Sequence, residues 1–132
     1  MLANVAAGST MYERAGGDEF FETLTRRFYA AVAEDPLLRP LYPEEPARLE
    51  TARRHLELFL IQHWGGPAVY RSERGEARLG QRHQRFHIGL AERDAWLGHM
   101  RAAVTAGALR PLDEAQMISF FEGSANHLVT QP

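Results

Sequence analysis

The chain has 132 residues, enough for one domain with a sizeable core and too few for two. With 45% hydrophobic and 24% charged residues and a formal net charge of -2, it reads as an ordinary soluble globular protein, with no electrostatic case for nucleic acid or an anionic membrane as partner. Cysteine and lysine are both absent and all 15 basic residues are arginine, which excludes disulfides, thiolate metal sites, cysteine nucleophiles and lysine Schiff bases.

Residues 1–10 are small and polar, with no basic stretch leading into a long apolar run. They are expected to form a disordered N-terminal extension, not a signal peptide, ahead of a single domain over residues 11–132. No segment approaches the roughly 20 apolar residues that span a bilayer, so no membrane is expected and the cytoplasm is the expected location. Over 18–33, Phe20, Phe21, Leu24, Phe28, Ala31 and Val32 recur at steps of three and four, which predicts a helix with one buried face. Asp35-Pro36 ends it, because the residue before a proline avoids the helical region. The stretch 37–43 is interrupted by Pro40 and Pro43, too broken for a long helix and too apolar for a free loop; something must cover it.

A second helix is expected over about 48–63, with Leu49, Ala52, Leu56, Phe59, Leu60 and His63 on the inward face and Arg53, Arg54 and Glu57 outward. Trp64-Gly65-Gly66-Pro67 stops it. Residues 68–79 are polar and weakly periodic, which predicts a loop with at most short helical pieces, followed by a short helix over about 79–86. A third long helix is predicted over 92–106, with Trp96, Met100, Ala103 and Val104 on one stripe. The fourth, over 113–129, carries Met117, Phe121, Ser124, Ala125 and Leu128, with Asp113 and Gln116 at the spacing of an N-cap pair. The class is all-α, and periodicity alone fits an up-down four-helix bundle equally well.

Among the six histidines, His83 and His87 stand four apart, a helical spacing that can chelate a metal. Two ligands do not complete a zinc site, and no acidic residue occupies the next helical step. His55, His63, His99 and His127 follow the helical pattern as structural residues.

Specificity comes from motifs in order: Arg27-Phe28-Tyr29, Leu41-Tyr42-Pro43, Trp64-Gly65-Gly66-Pro67, Arg82-His83-Gln84-Arg85-Phe86 and Glu92-Arg93-Asp94-Ala95-Trp96, with glycine pairs at Gly16-Gly17 and Gly65-Gly66. From Met11 to about Val129 this resembles the group II truncated haemoglobins. The resemblance implies a two-over-two helical sandwich around haem b (iron protoporphyrin IX), and a cofactor that anchors the otherwise unexplained 68–79 loop. It puts His83 at the proximal position, as the iron ligand, with Phe86 packing nearby. On the distal side it implies Tyr29, Tyr42 and Trp96 as donors to a bound diatomic ligand, since an O–H or N–H bond to a ligand that gathers negative charge is stronger than a neutral one. Ala52 and Leu56 take distal positions that are apolar here, and Phe59 is expected against the haem face. Arg82, His55 and His87 are the expected propionate contacts. The arginine series Arg71, Arg74, Arg78, Arg82 and Arg85 is interrupted by Glu73 and Glu76, which favours a solvated rim over a nucleic-acid stripe.

The implied function is reversible binding of dioxygen and other diatomic ligands, of the oxygen-transport type, with slow release from three donors. A haem-based redox enzyme, either a nitric oxide dioxygenase or a peroxidase-like one, shares every residue with it. A haem-free helical interaction module is the rival from another class. The expected partners are dioxygen or another diatomic ligand and a reductase that keeps the iron ferrous; the apolar surfaces leave room for a homodimer.

Overall fold

The computed structural model describes residues 9–75 and 88–129. Its first element, α1 (Met11–Ala15), is one that periodicity does not reveal, because five residues hold too few apolar positions to register. Thr10, within the stretch expected to be disordered, is its N-cap. The Thr10 hydroxyl accepts from the Glu13 N–H at 3.1 Å while the Glu13 carboxylate accepts from the Thr10 N–H at 3.0 Å, so two otherwise orphaned donors are satisfied. The Tyr12 N–H donates to the Trp64 carbonyl at 2.9 Å, which seats α1 on the Gly65-Gly66 turn. Gly65 has φ +98°, and a Cβ on Gly66 would come within 2.6 Å of Ile61 and 2.8 Å of the Tyr12 ring. The glycine pair is what lets the two segments touch.

Helix α2 (Asp18–Ala33) has the expected bounds and buries Phe21, Leu24, Thr25, Phe28 and Val32. The proline-broken connector is held by Leu38, which is buried, and by a 3-10 turn (Arg39–Leu41). The Arg39 guanidinium donates to the carbonyls of Tyr42, Pro43 and Glu44 at 3.3, 2.8 and 3.2 Å, a side-chain substitute for the backbone bonds that proline removes.

Helix α3 (Pro46–His63) starts two residues ahead of the prediction, with proline in its first turn where a missing N–H costs nothing. Its faces depart from the sequence pattern. Arg53 and Glu57, expected outward, are buried, and His63, expected inward, is exposed. The cause is that α3 is covered on two sides, by α2 along the Arg53 edge and by α4 (Val69–Arg74), the short helical piece in the predicted loop. The predicted helix near 79–86 lies outside the described residues.

Helix α5 (Leu90–Ala106) also begins two residues early, at Gly89, whose N–H donates to the Glu92 carboxylate at 2.9 Å. Helix α6 (Pro111–Leu128) opens on Pro111 with Arg110 as N-cap, so the expected Asp113–Gln116 cap is overturned. Asp113 instead accepts from Arg14 Nε at 3.1 Å, tying α6 to α1.

Helix α2 packs on α3, α5 on α6, and α2 on α5, a two-over-two all-α sandwich. Phe21, Phe28, Leu60, Met100, Val104, Met117 and Phe121 fill the seam. Each such side chain contributes roughly 1.5–3 kcal/mol by leaving water. The seam does not close at the end where α2 and α3 meet the connector, and the functional cavity lies there.

Candidate functional site

The cavity has a volume of about 720 Å³. Phe28 and Tyr29 reach it from α2; Leu38, Leu41, Tyr42 and Pro43 from the connector; Ala52, His55, Leu56, Phe59 and Leu60 from α3. Tyr70 and Arg74 of α4 close one flank, Ile88, Glu92, Arg93 and Trp96 another, and Phe120, Phe121, Ser124, His127 and Leu128 of α6 form the far wall.

Three of its aromatic side chains, Tyr29, Tyr42 and Trp96, carry neutral polar groups. The Tyr29 and Tyr42 rings meet edge to face at 5.4 Å between centroids, and Trp96 meets Phe28 the same way at 5.7 Å. The Trp96 indole N–H, which can only donate, bonds to the Tyr42 oxygen. Burial pushes the Tyr29 phenol well above its ordinary range, with the Tyr42 neighbour adding to the rise and the Arg53 charge opposing it. Burial does the same to Tyr42, and the bond from Trp96 opposes it. Both phenols therefore stay protonated at neutral pH. Tyr29 holds an O–H donor for whatever enters, and Tyr42, already accepting from Trp96, has its own proton to give.

The cations stand at the edges. Arg74 Nη1 lies 3.3 Å from His55 Nε2 and its guanidinium sits 5.8 Å from the Tyr70 ring centre. Arg93 donates to Asn126 at 3.1 Å and pairs with Asp94 at 2.9 Å. Glu92 is in the wall because it caps α5.

A model of the bacterial-like globin family matches residues 10–129. The group 2 truncated haemoglobin YjbI of Bacillus subtilis is 36% identical over 115 residues, 87% of this chain and 85% of that one. The chain belongs to the bacterial-like globins. Among solved structures, a thermostable haemoglobin from the actinobacterium Thermobifida fusca is 49% identical, with a TM-score of 0.89 over 94% of this chain and 99% of that one. The truncated oxygen-avid haemoglobin from Bacillus subtilis is 35% identical, with a TM-score of 0.83 over 92% and 99% of the two chains. The protein is a truncated haemoglobin, with haem as its cofactor and diatomic ligands such as dioxygen as what it binds.

The described residues fit that cofactor. The cavity lies within the 300–1,000 Å³ usual for bound cofactors, and the surface of its walls is mainly apolar. Arg74, Arg93 and His127 line it and suit the anionic edge of a haem, and the one carboxylate among its described lining residues, Glu92, accepts from the Gly89 N–H.

Of the site residues expected from sequence, Tyr29, Tyr42, Trp96, Ala52, Leu56, Phe59 and His55 all line this one cavity. Arg82, His83, Phe86 and His87 lie outside the described residues. Tyr70, Arg74, Ile88, Arg93, Ser124 and His127 are wall residues that the sequence reading missed. A faint signal existed for two of them: Tyr70 and Arg74 are one helical turn apart, within a stretch read as loop.

Proposed function

We propose that this truncated haemoglobin holds its diatomic ligand, dioxygen first among them, tightly and releases it slowly. The observation that carries the reading is the convergence of Tyr29, Tyr42 and Trp96, three neutral donors, on one largely apolar cavity. Haem, when bound, would supply an iron to which a diatomic ligand can bind. The rest is the work of the chain. Tyr29 and Tyr42 keep their protons because burial disfavours the phenolate, and Trp96 orients Tyr42 by occupying one of its lone pairs. Ala52 and Leu56 add no competing donor and keep water from solvating the ligand.

His83 is proposed as the proximal ligand. The chain lines the cavity at Arg74 before this segment and at Ile88 after it, which supports a ligand between them. Phe86 is proposed to pack beside it, with His55, Arg82 and His87 toward the propionates. The oxygen avidity of the Bacillus subtilis relative points the same way. Stopped-flow measurement of dioxygen dissociation is the test: slow release is expected, and fast release overturns the reading. His83→Ala is expected to lose or shift the Soret band, and an unchanged band removes the ligand assignment.

Slow release suits redox use of the held ligand better than bulk transport, so nitric oxide dioxygenation or peroxide turnover is the second reading. Peroxide turnover that survives replacement of both Tyr42 and Trp96 removes that pair from it. The same reading includes one domain over residues 11–132, a cytoplasmic location and a reductase that keeps the iron ferrous. Exposed apolar side chains, Leu112 at 85% and Leu90 at 52%, support a homodimer that sedimentation velocity tests.

A further inference from the structure

We propose that Arg53 is a positioning residue for the ligand pocket: its buried guanidinium locks α3 against α2 beside Tyr29, and so sets where the Tyr29 hydroxyl stands relative to a ligand in the cavity. The inference rests on the reading of Tyr29 as a ligand donor.

Arg53 is 5% exposed, Glu57 3% and Thr25 0%. The guanidinium is held on three sides. Nε and Nη2 donate to the two oxygens of Glu50 at 3.0 and 2.8 Å, and Nη1 donates to Glu57 at 2.8 Å and to the Thr25 hydroxyl at 2.9 Å. The second Glu57 oxygen accepts from Arg54 at 2.6 Å. Thr25 spends its own proton on the carbonyls of Phe21 and Glu22, at 2.9 and 3.1 Å, so its oxygen is left to accept from Arg53. Each of its three nitrogens has a partner, and four of its five N–H groups are used, a constraint that a flexible ammonium does not impose.

The place of this lock matters more than its strength. Thr25 precedes Tyr29 by one turn of α2, on the same face. Arg53 directly follows Ala52 and Glu57 directly follows Leu56, both in the cavity wall. A change in how α3 sits on Thr25 therefore moves the Tyr29 donor and the apolar wall relative to each other. Apolar side chains of similar volume would fill this space with less desolvation, so what the ion pair adds is a defined geometry. The Arg53 charge also works against burial on the Tyr29 phenol, which makes its O–H a better donor.

The test is a double-mutant cycle in the haem-loaded protein, with Arg53→Met combined with Glu57→Leu, and separately Arg53→Lys, each made with and without Tyr29→Phe. The readouts are the infrared stretching band of bound carbon monoxide, which reports the field at the ligand, and the dioxygen dissociation rate. The paired apolar replacement is expected to fold with a melting temperature near the parent's, to shift and broaden the band, and to speed dissociation about tenfold. Arg53→Lys should fall between the two. In the Tyr29→Phe background the same replacements should change neither readout. Equal changes with and without Tyr29, or an unmoved band, overturn the proposal while leaving Tyr29 as a donor. No effect of Tyr29→Phe alone overturns the donor reading and this inference together.

Discussion

Helices α2 and α3 carry two polar clusters side by side, and the clusters differ in what their groups are left to do. Around Arg53 the groups are matched donor to acceptor: Arg53, Glu57 and the neutral Thr25 are buried, and Glu50 closes the cluster at the surface. In the cavity wall Tyr29, Tyr42 and Trp96 are neutral, half-buried aromatics: Trp96 donates to Tyr42, and the two phenols stay protonated beside the open space. A saturated cluster can only hold a shape. An unsaturated one can receive a ligand, at the cost of keeping polar groups where little water competes for them. The saturated cluster lies directly behind the wall of the unsaturated one, which is where a binding site needs its support.

Breaking the saturated side should have the largest effect. Arg53→Met alone leaves Glu57 buried with only the half-exposed Arg54, and unfolding in urea should register a loss of about 3–5 kcal/mol. Adding Glu57→Leu should restore most of it; a single replacement that costs almost nothing would mean the cluster is solvated. Breaking the unsaturated side should spare stability and harm binding. Tyr42→Phe is expected to raise the dioxygen dissociation rate by about 10- to 100-fold, the equivalent of roughly 1.5–3 kcal/mol for one charge-assisted bond, with little change in melting temperature.

Alkaline pH sharpens the contrast. Burial raises Tyr29 and Tyr42 above the ordinary tyrosine value of about 10, so the unfolded chain sheds these protons first as pH rises. Stability from the two phenols should be intact below pH 10 or so and decline above it, and Tyr29→Phe with Tyr42→Phe should flatten that decline. Phenolate absorbance at 295 nm appearing at the ordinary pH for all four tyrosines would refute the buried, neutral state. The smallest effect is expected outside both clusters, at His63. Its ring stacks 4.1 Å from Phe120, and desolvation lowers its pKa. The unfolded chain then takes up a proton first as pH falls below about 6.5, so stability should decrease on mild acidification. His63→Phe should remove that acid slope in denaturation curves, and an unchanged slope would assign it to other groups.

Much of the fold was legible because it is written locally. The apolar steps from Phe20 to Val32 and the Asp35-Pro36 break define α2 without reference to any other part of the chain, and the Met117, Phe121, Ala125 and Leu128 stripe does the same for α6. Helix starts were displaced by two residues where proline or a capping glutamate outranks the apolar pattern, as at Pro46, Pro111 and Glu92. For the site, Tyr29, Tyr42 and Trp96 stood in recognisable motifs, whereas Tyr70, Ser124 and His127 carry no motif and enter the wall only because α4 and α6 pass there.

What the sequence determined by itself was the all-α class, the principal helices, the aromatic residues that meet in the cavity and the family the chain belongs to. Helical period, chain breakers and residue chemistry are properties of short stretches. Only the tertiary structure decided that Arg53 and Glu57 go inward and His63 outward, and that a Thr25–Arg53–Glu57 lock backs the ligand cavity. A helix records its most apolar face in its sequence. Which polar face another helix will cover depends on how the two cross, and on whether each buried charge finds a partner there.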